Sequence, residues 1–99
     1  MAEVRLSRRA AIDLEGLYIY SIENFGEAVT QAYRQDLEAS FARLGDDPRI
    51  GRPLAGRTRT FFRLNCREHA IFFERTDEGD VIVVRVLHAA MDFKRHLPR

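Results

Sequence analysis

Ninety-nine residues, 45% hydrophobic and 31% charged, suit one folded domain over 1–99 and exclude a disordered chain. No apolar run approaches the roughly 20 residues of a membrane helix, the first residues carry charge where a leader needs an apolar core, and the one cysteine excludes an internal disulfide framework, so a cytoplasmic protein is expected. The net charge of +1 divides unevenly: residues 1–47 hold five arginines against nine acids (−4), and residues 48–99 hold ten arginines and Lys94 against six acids (+5).

Residues 3–6 alternate in polarity and predict an edge strand. Ser7 is a good helix N-cap, its hydroxyl placed to take an orphan backbone N–H. Ala10, Leu14, Leu17, Tyr18, Ile22 and Phe25 follow at helical spacing, and Gly26 supplies the stop. A second helix over about 27–44 carries Val29, Ala32, Tyr33, Leu37, Phe41 and Leu44 as its apolar stripe, with Arg34 and Glu38 one turn apart on the wet side. So short a link makes the two helices an antiparallel hairpin. Residues 48–59 carry Pro48, Gly51, Pro53 and Gly56, which is loop chemistry. Strands are expected over 60–65, 68–76 and 80–88. Asn65-Cys66-Arg67 turns the first back, and Asp77-Glu78-Gly79 closes a hairpin between the other two. A short helix over 91–97 ends the chain. The fold expected is α+β: an N-terminal strand, an antiparallel helical hairpin on one face of a mainly antiparallel sheet, and a short C-terminal helix.

The last strand is apolar on both sides. Alternation puts Ile82, Val84 and Val86 on one face, and Val81, Val83 and Leu87 on the other with Arg85. Two helices cover only one face, so either the C-terminal helix folds over the second or a partner does.

The soft metal ligands are Cys66, His69, His88 and His96, and no second pair stands at zinc spacing beside Cys66 and His69; no metal site is expected. No phosphate-binding glycine loop, nucleophile elbow or HExxH motif occurs. Cleaving RNA through its own 2′-hydroxyl needs a base, a cation and an acid. Arg63, Arg75 and Arg85 with His88 could supply the cation and the acid or base. Between Arg49 and Arg67 the chain holds Arg52, Arg57, Arg59 and Arg63 and no acid, which suggests a partner bearing carboxylates or phosphates. Plainer roles stand beside these: His88 as a hydrogen-bonded structural histidine, Arg85 as an ion-pair partner, Asp92 at a helix start, and Tyr18, Ile22, Phe25, Tyr33 and Phe41 as core.

The phrase Arg85-Val-Leu-His88-Ala-Ala-Met91-Asp92, with Arg95-His96-Leu97 after it, resembles the ParE branch of the RelE/ParE superfamily of toxins from bacterial toxin–antitoxin modules. Upstream, Leu6-Ser7, Ala10, Asp13-Leu14, Tyr20, Phe25-Gly26, Leu44, Pro48, Gly51-Arg52-Pro53, Arg63 and His69-Ala-Ile-Phe72 fall where that family has similar residues, so the resemblance spans nearly the whole chain. It implies the RelE/ParE-like fold and a toxin that inhibits DNA gyrase by binding, trapping it on broken DNA so that replication stalls, with no catalytic residue and no cofactor. It implies a cognate ParD-like antitoxin whose acidic, amphipathic C-terminal segment wraps the toxin in a hetero-oligomer. The antitoxin, not this chain alone, would make any sequence-specific DNA contact. On this reading Arg63, Arg85, His88, Met91, Asp92 and Arg95 are the target-binding residues. Arg49, Arg52, Arg57, Arg59, Val81, Val83 and Leu87 are those that meet the antitoxin.

The alternative is a ribosome-dependent mRNA endoribonuclease of the RelE type. Such enzymes carry denser lysines and arginines with a tyrosine or histidine near the C-terminus. Here Tyr18, Tyr20 and Tyr33 all fall on helices, and Lys94 is the sole lysine. A third reading is a module that only binds its antitoxin.

Overall fold

The computed structural model describes residues 1–55 and 59–98. Its elements are β1 (Val4–Leu6), α1 (Arg8–Asp46), β2 (Arg52–Pro53), β3 (Phe62–Cys66), β4 (His69–Arg75) and β5 (Val81–His88), followed by a 3-10 turn at Phe93–Arg95. They form a mixed five-stranded sheet in the order β1-β5-β4-β3-β2. β1 joins β5 in parallel, and the other three pairings are antiparallel.

Ser7 caps α1 as expected: its hydroxyl accepts from the Ala10 N–H at 3.0 Å. The two helices expected after it are one helical run of 39 residues, within which Gly26 leaves helical geometry at φ 85° and ψ 176°. Drawn straight, that run would measure about 58 Å, whereas the longest dimension of the molecule is 39 Å. It therefore doubles back at Gly26. The far end returns to the start, where the Ala2 N–H donates to the Gly45 carbonyl at 2.8 Å, and Thr30 Oγ1 donates to Ser21 Oγ at 2.7 Å near the bend. The glycine is where the sequence puts it, and helical geometry breaks there, parting two helical stretches.

Two other expectations change. The helix expected over 91–97 is only a 3-10 turn, in which the Asp92 carboxylate accepts from the Lys94 N–H at 3.2 Å. Seven residues are too few to sustain an α-helix unaided, and Pro98 disfavours helical geometry at Leu97. The loop expected over 48–59 contains β2, which pairs Arg52 with Arg63 and Pro53 with Phe62. Pro53 is tolerated because β2 is an edge strand.

The sheet has two apolar faces with different covers. Ala10, Leu14, Tyr33, Leu37 and Leu44 of α1 pack on Ile71, Phe73, Val81, Val83 and Val86. On the outer face Phe61, Ala70, Phe72, Val84 and Leu87 are closed by Leu97, with Leu54 and Phe93 at the margin. The tail, not a partner, covers this part of the second face.

A β-bulge decides which residue goes where. Phe72 pairs with Arg85 but Phe73 pairs with Val83, so Val84 has no counterpart on β4. One extra residue moves everything after it to the opposite face. Val86 thereby joins the helix side and Leu87 the outer side, which reverses the alternation expected for both. Val81 and Val83 are 0% exposed and Leu87 4%, so these three, expected to meet an antitoxin, are core residues instead.

Gly26→Ala isolates the cost of the bend, because a Cβ there meets nothing within 4 Å. The expected loss is about 1–3 kcal/mol from backbone conformation alone, read from urea denaturation. Gly51→Ala should lose more, since its Cβ would lie 2.9 Å from Phe73 Cζ in addition to the strain of φ 99°.

Candidate functional site

β1 covers β5 only as far as Val83, so the later part of β5 would expose an unpaired edge. Two side chains at the start of α1 take the place of a strand. Ser7 Oγ donates to the Val84 carbonyl at 2.9 Å, and the Asp13 carboxylate accepts the Val86 N–H at 3.0 Å. Asp13 also takes Arg85 in a bidentate grip, from Nε at 2.7 Å and Nη2 at 3.0 Å, while Arg85 Nη1 donates to the His96 carbonyl at 3.0 Å. Both side chains are nearly sealed from solvent, 10% exposed for Arg85 and 8% for Asp13. Such forked, charge-assisted bonds are among the strongest a protein makes. Helix, sheet and tail meet at one guanidinium.

Beside this joint a groove of about 1080 Å³ opens between α1, the end of β5 and the tail. Leu17, Tyr20, Phe25, Val29 and Met91 supply its apolar lining, and Arg9, Arg67, Glu68, His88 and His96 its polar parts. Phe25 is 60% exposed and Tyr20 62%, large rings left in water in the stretch just before the Gly26 bend. An apolar surface with a charged rim suits an amphipathic segment.

At one end of the groove Tyr33, His69 and His88 touch. The Tyr33 hydroxyl is bonded to His69 Nδ1, and the His69 ring lies edge-on to both neighbours with centroids 5.4 Å apart. Burial, then the carboxylate of Glu68, pushes the Tyr33 phenol up to about 12. Burial, then the nearby His88 ring, holds His69 below the usual imidazole range. A protonated phenol beside a neutral imidazole fixes the direction of the bond: Tyr33 donates, Nδ1 accepts, and the His69 proton sits on Nε2. Arg67 lies over the Tyr33 ring and pairs with Asp36, so it is already engaged.

The residues expected to form one target surface part company. His88 and Met91 line the groove. Arg85 also lines the groove, but its three guanidinium nitrogens are bonded inside the joint. Arg63 lies across the outer face, where Nε donates to Asn65 Oδ1 at 2.8 Å. Asp92 caps the 3-10 turn, and exposed Arg95 stands 3.9 Å from it.

The arginines expected to meet an antitoxin also scatter. Arg49 pairs with Asp47 at 3.2 Å, Arg52 is exposed on β2, and Arg59 pairs with Glu74. Arg57 lies outside the described residues. Arg75, proposed above as a possible catalytic cation, sits at the opposite end of β4 from His69. There it donates to the Pro48 carbonyl at 2.6 Å and stacks over Phe62. Arg63, Arg75, Arg85 and His88 do not converge.

Sequence reasoning passed over Asp13 as a site residue and read Tyr33 and Phe25 as core. A polar residue nearly two turns after the Ser7 cap, on the same helix stripe as Ala10 and Leu17, was the available signal for Asp13.

A family model described as the ParE toxin of the type II toxin–antitoxin system, parDE, matches residues 4–93. Toxin ParE1 of Mycobacterium tuberculosis (strain H37Rv) is 33% identical over 92 residues, 93% of this chain and 94% of its own length. Toxin ParE1 of Caulobacter vibrioides is 30% identical over 97 residues, 98% of this chain and 99% of its own. Among solved structures, the chromosomal ParDE system from P. aeruginosa superposes with a TM-score of 0.74 at 17% identity, covering 89% of this chain and 96% of that one. The RelBE2 toxin–antitoxin complex from Mycobacterium tuberculosis gives 0.64 at 24% identity, covering 91% and 93%. At those identities the two structures speak for the fold.

Asp13→Asn keeps an acceptor for the Val86 N–H but leaves Arg85 an uncompensated buried charge. A loss of about 3 kcal/mol or more is expected in chemical denaturation. For His69, NMR titration should find a midpoint below 6.5. The unfolded chain then takes up a proton that the folded imidazole refuses, so stability is full above the unfolded value and falls as pH drops from there to the folded one. His69→Gln should flatten that part of the stability–pH curve.

Proposed function

The chain belongs to the ParE toxin family of type II toxin–antitoxin systems, and on that footing we propose that it inhibits DNA gyrase by binding and is neutralised by a ParD-like antitoxin seated in the groove beside β5. The groove carries this reading. Its lining by Leu17, Tyr20, Phe25, Val29 and Met91, with a polar rim of Arg9, Arg67, Glu68, His88 and His96, suits a segment that is apolar along one side and polar along the other. A segment of that kind folds as it binds, spending part of its interaction energy on ordering itself. The antitoxin contact therefore moves from Val81 and Val83 to the groove, which Leu87 still lines, whereas Arg49 and Arg59 keep a supporting electrostatic part. His88 and Met91, which share the groove, are then covered when the antitoxin is bound, so one surface serves both restraint and action.

Action by binding is supported by how the candidate catalytic groups are spent. Arg85 is locked by Asp13, His69 is held neutral under Tyr33, and Arg63 and Arg75 lie away from His88. A ribonuclease of the RelE type needs such groups free and convergent on one phosphate. The toxin acts in the cytoplasm, beside its target, and serves maintenance of the replicon that carries it or a stress response. Among the described residues no helix is long and apolar enough to cross a membrane.

Inducing the chain without its antitoxin should produce cleaved DNA–gyrase complexes while messages stay intact. Cut messages with intact DNA would reject the proposal in favour of the RelE-type nuclease, and normal growth with soluble protein would leave a module that only binds its antitoxin. Phe25→Asp should weaken the antitoxin complex at least about tenfold in calorimetry, the scale of a buried aromatic anchor. The fold should survive, because Phe25 supports no core in the free chain.

A further inference from the structure

The outer face of the sheet carries a feature that neither the fold nor the groove explains. Arg52 and Arg63 stand directly opposite one another on β2 and β3. Like charges in that position destabilise an antiparallel pair, and among the described residues no carboxylate forms an ion pair with either. Arg63 is also held in place. Its Nε is bonded to Asn65 Oδ1, and its guanidinium carbon lies 5.4 Å from the Phe72 ring centre and 6.0 Å from that of Phe93. Packing and one bond fix the plane of the group and leave its terminal nitrogens as an oriented fork, a shape that matches a phosphate. Exposed Lys94 and Arg95 follow Phe93 in the 3-10 turn. The acids nearby, Glu74 and Asp92, are engaged with Arg59 and with the 3-10 turn and Arg95.

We propose that this face binds the phosphate backbone of duplex DNA without reading its sequence. Single strands are disfavoured because the aromatic rings here are not offered for base stacking: Phe61 and Phe72 are 0% and 1% exposed, and Phe93 is half-buried under Arg63. The choice of DNA over an RNA duplex rests on the gyrase reading, since that target holds a DNA duplex. Because the face lies across the sheet from α1, a DNA contact leaves the groove clear.

The test uses the purified chain, free of antitoxin and of gyrase, and a fluorescein-labelled DNA duplex of arbitrary sequence read by anisotropy across a salt series. About three phosphate contacts predict a log–log salt slope near −2.7. Arg52→Gln and Arg63→Gln should each weaken binding about tenfold at about 50 mM salt and flatten the slope by about 0.9, whereas Arg43→Gln, on α1, should change neither. Arg52 is exposed on a two-residue edge strand, so its variant keeps the test decisive should Arg63→Gln fail to fold. Undetectable binding at low salt, an unaltered double variant, or tighter binding to an RNA duplex or a single strand would overturn the proposal. Because gyrase is absent, any of those results would leave the gyrase reading standing, and a failure to trap gyrase in cells would leave this one standing.

Discussion

Past Val83, β5 has lost its parallel neighbour, and the Asp13 carboxylate stands where the next strand would be. One side chain completes the backbone bonding of the strand at the Val86 N–H and neutralises Arg85, whose other arm holds the tail at His96. Each group alone would be costly: an unpaired strand edge invites a foreign strand, and an unpaired buried guanidinium does not stay buried. Together they satisfy one another, and the geometry of that joint dictates where α1 starts and where the tail runs. The apolar groove beside it is lined by Leu17, Tyr20 and Phe25 before the bend at Gly26, by Val29 and Tyr33 after it, and by Leu87 and His88 of the sheet.

The two faces of the sheet then take different chemistry. On the helix side the titratable groups are drawn inward and quietened, Tyr33 by burial and His69 by burial and a neighbouring ring. On the outer side Arg59 and Arg63 lie over the rings of Phe61 and Phe72. A small domain has too little interior to bury many charges, and the buried Arg85 that locks the fold is paired with Asp13.

Much of this was open to reading from residue order. Ser7, Gly26 and the Asp77-Glu78-Gly79 turn each act through local backbone chemistry, and each appears where expected. The β-bulge at Val84 has no local signature in a run of valines. It reversed the faces of Val86 and Leu87, and with them the expectation that Leu87 would share a partner-facing surface with Val81 and Val83. The C-terminal segment read as helix from its composition, but its shape follows Leu97, Phe93 and Pro98, whose positions answer to the sheet beneath.

Residue order by itself determined the N-terminal strand, the helical stretches and the last three strands, because hydrophobic period, caps and turn residues act over a few positions. It also set the basic character of the second half, and its Arg85–Asp92 phrase carried the resemblance to the family. Only the folded structure decided that Arg85 is a strut and Arg63 a displayed fork, though both are arginines on strands. The reason is distance along the chain: Asp13 lies 72 residues from Arg85, and no local pattern says which of many carboxylates will close upon a given guanidinium.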